Sequence, residues 1–150
     1  MGTHYKGSQR ENLVLDTWIK LSRAKNTLDT TMRHNVEAQG LTLSQFGVLE
    51  VLLHLGPLAV KDIGGKLLMT PANLVTIIDN LVKQDLVQRM PSELDRRSTI
   101  IHLTSKGNGQ IQSVFENHLN ELMQCFSSLD DSQLLTLGSL AKDLGLSQTH

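Results

Sequence analysis

Arg96 and Arg97 stand side by side between two short β-prone runs, residues 86–90 and 98–103. A guanidinium group stays charged at physiological pH and donates hydrogen bonds in a fixed fork, which suits phosphate and base-edge acceptors. The two runs predict a β-hairpin that presents both arginines at its tip. Because charged turns are also common on surfaces that bind nothing, a solvated hairpin tip is the alternative interpretation.

A short amphipathic helix is predicted directly before this hairpin. Thr70 is a suitable N-cap, and Pro71 suits the first helical position. Apolar residues recur at i, i+3, i+4 and i+7 and predict a buried stripe made of Leu74, Ile77, Ile78 and Leu81. The opposite face carries short or polar side chains, namely Ala72, Asn73, Thr76, Asn80 and Lys83. A helix that can approach the major groove closely, followed by an arginine-tipped hairpin, indicates a winged DNA-binding domain.

Hydrophobic periodicity predicts helices on both sides of this unit. In chain order the predicted helices span residues 13–36, a segment after Thr42 that ends at Gly56-Pro57, residues 60–68, residues 70–84, a long segment after Thr104 and a last segment after Asp130 or Asp131. The third and fourth helices, joined by a tight turn, form a helix-turn-helix pattern. The predicted fold is mainly α-helical with a small β-hairpin wing.

The bulk composition narrows the class of protein. At 150 residues the chain is long enough for one domain with a substantial core. It has no apolar run of membrane-spanning length and no signal-peptide pattern, so we expect a cytoplasmic location without membrane contact. The single cysteine, Cys125, excludes an intrachain disulfide and lies on an apolar helix stripe, which predicts a buried thiol.

The formal net charge of −1 hides an uneven distribution. Residues 60–106 carry seven Lys and Arg against five Asp and Glu, whereas residues 107–150 carry one against five. The segment with the amphipathic helix and the hairpin is therefore the basic part, which favours double-stranded DNA as a partner. The chain lacks a P-loop, a Rossmann fingerprint, Gly-x-Ser-x-Gly and Cys-x-x-Cys, so we expect no enzyme, no catalytic residues and no cofactor.

The terminal helices predict a second copy of the chain as a partner. Their apolar stripes exceed what the small central unit can cover, and a homodimer would bury them. We expect one domain over residues 1–150, in which residues 38–104 read DNA while residues 10–36 and 105–146 form the dimerisation helices. A dimer would place two recognition helices about 34 Å apart, which is one turn of DNA and suits a palindromic operator.

Four motifs resemble the signature of MarR-family transcriptional regulators: Leu43-Ser44-Gln45-Phe46-Gly47-Val48-Leu49, Leu86-Val87-Gln88-Arg89, Asp95-Arg96-Arg97 and Leu103-Thr104-Ser105-Lys106-Gly107. The resemblance covers most of the chain from Leu41 onward. It implies a dimeric winged helix-turn-helix repressor, and members of this family often respond to small phenolic or other aromatic effectors. Residues 46–68 also resemble members that respond to catechols and quinones.

The resemblance implies roles for individual residues. Arg97 or Arg96 would reach into the minor groove, and Asp95 would hold that arginine in place, because a free carboxylate is unfavourable in a negative groove. On the recognition helix, the side chains expected to meet bases or phosphates are Thr70, Asn73 and Thr76. Phosphate contacts are expected from Lys66, Lys83 and Arg89. The recognition helix carries no arginine, which favours an A/T-rich operator, although plain surface positions are the alternative for its polar residues.

The resemblance also implies an effector pocket between the dimer helices and the DNA-reading part. The residues that are candidates to line it are Trp18, Met32, His34, Phe46 and His54. An apolar cavity with a few polar groups suits a phenol or a quinone. Packing without a ligand is the alternative role of these side chains.

Two other functions stay open on the sequence alone. His34 with Glu37 and His118 with Glu121 are i, i+3 pairs whose four side chains could bind zinc in a metal-responsive regulator, although we assign no metal site. A winged fold could also serve as a dimerisation module that regulates through protein contacts without binding DNA.

Overall fold

The computed structural model of this chain describes residues 4–92 and 98–146. The helices and strands in these two stretches are, in chain order, α1 (Gln9–Glu37), α2 (Leu43–Leu55), β1 (Leu58–Ala59), α3 (Val60–Leu67), α4 (Pro71–Lys83), β2 (Val87–Pro91), β3 (Thr99–Leu103), α5 (Ser105–Cys125) and α6 (Asp131–Leu146). The predicted mainly α-helical fold with a small β-hairpin wing is confirmed. The chain forms two compact units that divide within α5, the first ending at His118 and the second beginning at Leu119.

Apart from α3, whose N-cap Ala59 makes no side-chain cap bond, the helices begin where side chains satisfy the first free backbone amides. At the start of α2, the hydroxyl of Thr42 accepts a hydrogen bond from the N–H of Gln45 at 3.2 Å. In return, Oε1 of Gln45 accepts from the N–H of Thr42 at 3.0 Å, which completes a capping box. The predicted helix after Thr42 is therefore confirmed, and its start is fixed by local chemistry.

A three-stranded antiparallel sheet has the order β1-β3-β2. β2 and β3 form the predicted hairpin, with Val87 opposite Leu103. The sequence does not predict β1, because this strand has only two residues and no alternation can be recognised over that length. Leu58 of β1 lies opposite Ile101 of β3. Since β1 leads directly into α3, the sheet fixes the point at which the helix-turn-helix begins.

The core of the first unit is mainly aliphatic and receives side chains from all five of its helices. Its buried members include Val36, Leu49, Ile63, Leu74, Ile78, Leu81, Ile101 and Ile111. Three of the four stripe residues predicted on α4 are among them, and Ile77 packs against the core while half-buried. Burying each such side chain contributes about 1.5–3 kcal/mol. This core therefore sets the rotation of α4 about its axis and decides which face stays in solvent.

The turn between α3 and α4 passes through Leu68, whose backbone is left-handed with φ 52°. The N–H of Met69 donates to the carbonyl oxygen of Gly64 at 3.1 Å and closes α3. The left-handed conformation costs a leucine about 1–2 kcal/mol, and the Leu68 side chain is 92% exposed. The tight turn of the predicted helix-turn-helix is confirmed, and it takes a single strained residue to reverse the chain.

Candidate nucleic-acid interface

The start of α4 is fixed by its N-cap. The hydroxyl of Thr70 accepts a hydrogen bond from the N–H of Asn73 at 3.4 Å, and Pro71 occupies the first turn, where a missing N–H costs nothing. Leu74 and Ile78 are buried at 1% and 0% exposure. The cap and the buried stripe together present the opposite face of α4 to solvent, as the sequence predicts.

The exposed face of α4 carries mainly short or polar side chains, together with the exposed apolar residues Val75 and Val82. Its exposed residues include the six predicted to approach DNA, namely Thr70, Ala72, Asn73, Thr76, Asn80 and Lys83. The hydroxyl of Thr76 donates to the carbonyl oxygen of Ala72 at 3.2 Å, so its oxygen lone pairs stay free to accept from a base. Asn73 and Thr76 share the lining of a shallow cavity with Ser44 of α2. Ser44 was missed by sequence reasoning because only the tertiary fold brings α2 beside α4.

Arg89, predicted as a phosphate contact, forms an ion pair within the protein. Its Nη2 lies 2.7 Å from Oδ1 of Asp79, which belongs to α4. The pair joins the amphipathic helix to the first strand of the wing. Sequence reasoning did not single out Asp79, since an acid on a helix expected to approach DNA has no evident use until its partner is known. The available signal was its position three residues after Thr76, on the exposed side of α4.

The wing hairpin is paired as far as the structure describes it. Pro91 lies opposite Thr99, and the N–H of Ser92 donates to the carbonyl oxygen of Ser98 at 3.0 Å. Gln88, Arg89 and Met90 on β2 are exposed. The predicted wing-tip residues Asp95, Arg96 and Arg97 lie outside the described residues.

The predicted effector residues divide into two groups. Met32 and Phe46 are buried at 6% and 4% exposure. Trp18 is 65% exposed, and His34 and His54 are exposed as well. Exposure of Trp18 in a single chain leaves its indole ring available to a partner.

Two contacts between imidazole and phenyl rings join α2 to α5. The ring centroids of Phe46 and His118 are 4.6 Å apart, and those of His54 and Phe115 are 4.7 Å apart in an edge arrangement. Nδ1 of His118 is buried and has no hydrogen-bond partner among the described residues. This nitrogen is a buried polar atom beside the phenyl ring of Phe46, and its capacity for a hydrogen bond is unused.

Metal ligands do not gather in the described parts of the chain. Within residues 4–92 and 98–146, no group of three or more His, Cys, Asp and Glu side chains is arranged to hold an ion. Cys125 is exposed, so the prediction of a buried thiol is wrong. A helical stripe identifies an apolar face, whereas burial also requires an element that covers it. No helix between residues 4 and 146 has, in its described part, the length and apolarity needed to span a bilayer.

Comparison with known proteins agrees with this geometry. A family model for the MarR family matches residues 41–99. The chain is 31% identical over 132 residues to the HTH-type transcriptional regulator MhqR of Bacillus subtilis (strain 168). The aligned region covers 88% of this chain and 91% of MhqR.

Two solved structures share the fold. AbsC, a MarR family transcriptional regulator from Streptomyces coelicolor, is similar with a TM-score of 0.85 and 18% identity, covering 95% of this chain and 97% of AbsC. A MarR mutant from E. coli complexed with operator DNA is similar with a TM-score of 0.79 and 20% identity, covering 91% of this chain and 99% of that protein. From the family model and the match to MhqR, we conclude that the chain belongs to the MarR family, whose members are transcriptional regulators and not enzymes.

Proposed function

We propose that this chain is a homodimeric repressor that binds a palindromic operator in the cytoplasm and releases it when a small aromatic effector binds. Residues 38–104 form the DNA-reading part of a single domain over residues 1–150, and residues 10–36 and 105–146 form its dimerisation helices. The observation that carries the DNA-binding part is the division of α4 into a buried apolar stripe and an exposed, largely polar face.

The exposed face of α4 supplies the base and phosphate contacts. Asn73 can pair with an adenine through two hydrogen bonds, and the Thr76 hydroxyl can accept from a base. Lys83 and Lys66 are exposed cations that neutralise phosphates. Because this face carries no arginine, guanine readout is weak and the operator is A/T-rich.

The wing supplies the minor-groove contact. The hydrogen bond from Ser92 to Ser98 at the outer end of the described hairpin supports a wing in this part of the chain. Arg97 or Arg96 inserts into the minor groove, and Asp95 orients that arginine. The E. coli MarR mutant of the same fold is complexed with operator DNA, which supports DNA as the partner of this chain.

Exposed apolar stripes support the homodimer. On α1, Val14, Trp18 and Leu21 are 52%, 65% and 40% exposed at helical spacing. On α6, Leu140 and Leu144 are 62% and 51% exposed. Stripes of this kind on a regulator are best covered by a second copy, which also supplies the second recognition helix for a palindrome.

The effector site includes the five predicted residues and gains one more from the structure. Met32 and Phe46 are buried apolar side chains, and Trp18, His34 and His54 supply exposed rings, a combination that suits a phenol or quinone ring. The unpartnered Nδ1 of His118 lies beside Phe46 and can bond with a phenolic hydroxyl or a quinone oxygen, according to its protonation state. The two DNA-reading parts of the dimer are spaced differently with and without DNA. An effector of this kind acts by binding more tightly to the dimer with the DNA-free spacing than to the dimer with the DNA-bound spacing.

DNA binding is tested on duplexes enriched from genomic fragments by the wild-type protein. We expect Asn73→Asp to weaken binding at least about tenfold, because it places a negative charge against phosphates. Asn108→Asp adds the same charge on the exposed surface of α5 and should bind as the wild type does. Equal losses in both variants, or no enrichment by the wild type, would remove α4 from the proposed function.

The wing and the effector are tested separately. The double variant Arg96→Ala/Arg97→Ala should bind the enriched duplex more weakly than the wild type, and equal binding would contradict a role of the wing. A panel of phenols and quinones should contain compounds that raise the Tm and also release the duplex. His118→Leu should abolish that rise in Tm, while His102→Leu on β3 should preserve it.

A further inference from the structure

The segment Leu103-Thr104-Ser105-Lys106-Gly107 contacts the backbone just beyond the C-terminal end of α4. The hydroxyl of Thr104 donates a hydrogen bond to the carbonyl oxygen of Asp85 at 2.7 Å. The backbone N–H of Thr104 donates to the carbonyl oxygen of Leu86 at 3.1 Å. Nζ of Lys106 donates to the carbonyl oxygen of Gln84 at 2.7 Å. Three donors from two residues therefore bind three consecutive carbonyls.

Gly107 lets the two backbones approach this closely. A Cβ atom on Gly107 would lie 1.9 Å from the carbonyl oxygen of Leu86, far inside van der Waals contact. The N–H of Gly107 donates to the hydroxyl of Thr104 at 2.9 Å, so Thr104 also caps α5. The first turn of α5 is thus pressed directly against the chain that leaves α4.

The placement of Lys106 is unfavourable for α5 alone. A cation in the first turn of a helix opposes the helix dipole, which favours acidic residues there. The same ammonium lies at the end of α4, where a cation is favoured and where carbonyls lack partners within the helix. The left-handed backbone of Asp85, with φ 57°, turns the chain sharply at this point. Lys106 therefore stabilises the exit from α4 at the expense of its own helix.

We propose that Thr104, Lys106 and Gly107 are positioning residues for operator binding, which fix the end of α4 on the first turn of α5. This inference rests on the proposed DNA-binding function. According to this inference, part of the affinity for DNA depends on three residues that do not touch the exposed face of α4. The three residues hold the angle at which α4 enters the major groove, and loss of their bonds lets that angle vary.

The salt dependence of binding separates positioning from a direct phosphate contact. Each phosphate neutralised by a lysine contributes about 0.9 to the slope of log K against log salt concentration. Lys106→Met keeps the apolar stem and removes the donor. We expect it to weaken binding of the enriched duplex about tenfold with an unchanged slope. Lys83→Met, at a proposed phosphate contact, should lower the slope by about one.

Conservative variants separate positioning from a general loss of structure. Lys106→Arg and Thr104→Ser keep the hydrogen-bond donors and should bind the duplex with nearly wild-type affinity. Thr104→Val removes the hydroxyl and should bind more weakly. Lys6→Met removes the same charge near the N-terminus and should bind as the wild type does. Affinities are compared per folded molecule, with the folded fraction measured by urea unfolding of each variant.

Three outcomes would overturn the proposal. A slope that falls by about one in Lys106→Met would make Lys106 a phosphate contact. Unchanged affinity in both Lys106→Met and Thr104→Val would remove any positioning role. If the wild type enriches no duplex, the proposed DNA-binding function fails together with this inference. In the first two outcomes the wild type still binds DNA, and only the positioning role fails.

Discussion

The guanidinium of Arg89 on β2 and the carboxylate of Asp79 on α4 are 2.7 Å apart and connect α4 to the wing. Their side chains are 38% and 46% exposed, so the pair contributes only about 0.2–1 kcal/mol to stability. Its larger effect is electrostatic, because Arg89 neutralises an acid on the surface that we propose faces phosphates. The pair also gives Arg89 a role within the protein beside its predicted contact with DNA.

A double-mutant cycle tests this pair. Arg89→Met should weaken DNA binding about tenfold, since it removes a cation and leaves the Asp79 carboxylate unpaired near phosphates. In an Asp79→Asn background the same substitution should cost clearly less, because the repelling charge is absent. Fluorescence anisotropy of a labelled duplex gives the four affinities and the interaction energy. Losses that simply add would contradict a functional pair.

Two glycines of α5 should respond oppositely to the same substitution. Gly107→Ala should lower the free energy of unfolding by about 1–3 kcal/mol, because its Cβ would overlap the carbonyl oxygen of Leu86. Gly109→Ala should raise that free energy by up to about 1 kcal/mol, since nothing lies within 4 Å of its Cβ position and alanine favours the helix. Urea unfolding measures both values. Equal effects would show that the backbone of α5 at Gly107 can move away from the carbonyl oxygen of Leu86 at little cost.

The proposed homodimer is tested at Leu140, which is 62% exposed on α6. The wild type should sediment with twice the chain mass of 16.6 kDa. Leu140→Asp should shift the equilibrium toward single chains, because it places a charge in an apolar interface. Ser139→Asp adds the same charge at the preceding position of α6, outside the line of Leu140 and Leu144, and should leave the mass doubled. A wild type that sediments as one chain would contradict the dimer.

The N-terminal turn of α1 should depend on pH through Glu11. Hydrogen bonds from the hydroxyl of Ser8, at 2.8 Å, and from its backbone N–H, at 2.7 Å, lower the pKa of Glu11 below its ordinary value of 4.5. A lowered folded-state pKa stabilises this turn above pH 4.5, and the stabilisation is lost as pH falls through the folded pKa. Ser8→Ala should raise the pKa part of the way toward 4.5, and Ser8→Thr should keep it low. An NMR titration of Glu11 measures each value, and an unchanged pKa in Ser8→Ala would contradict the capping box.

Local signals explain why so much of α4 could be predicted. Thr70 and Pro71 mark its start, and its apolar period is regular, so the buried and exposed faces follow without tertiary information. The wing strands carry similar signals. The family resemblance follows from short motifs, one of which lies where local backbone chemistry restricts the residues, at Thr104 and Gly107.

The remaining features depend on contacts between distant parts of the chain. β1 is too short for any pattern and exists because β3 offers it backbone partners. The pairing of Asp79 with Arg89 requires α4 and β2 to be adjacent, which periodicity does not specify. Cys125 was misassigned for the same reason, because a stripe along α5 does not reveal whether another element covers it.

The order of the sheet also limits how the wing can associate. β3 is the inner strand, and the outer strands β1 and β2 carry the free backbone edges. β1 has two residues, and β2 carries a charged side chain at Arg89 and ends at Pro91, which has no N–H to donate. Both edges of the described sheet are therefore poor templates for a foreign strand, which disfavours edge-to-edge aggregation of the wing.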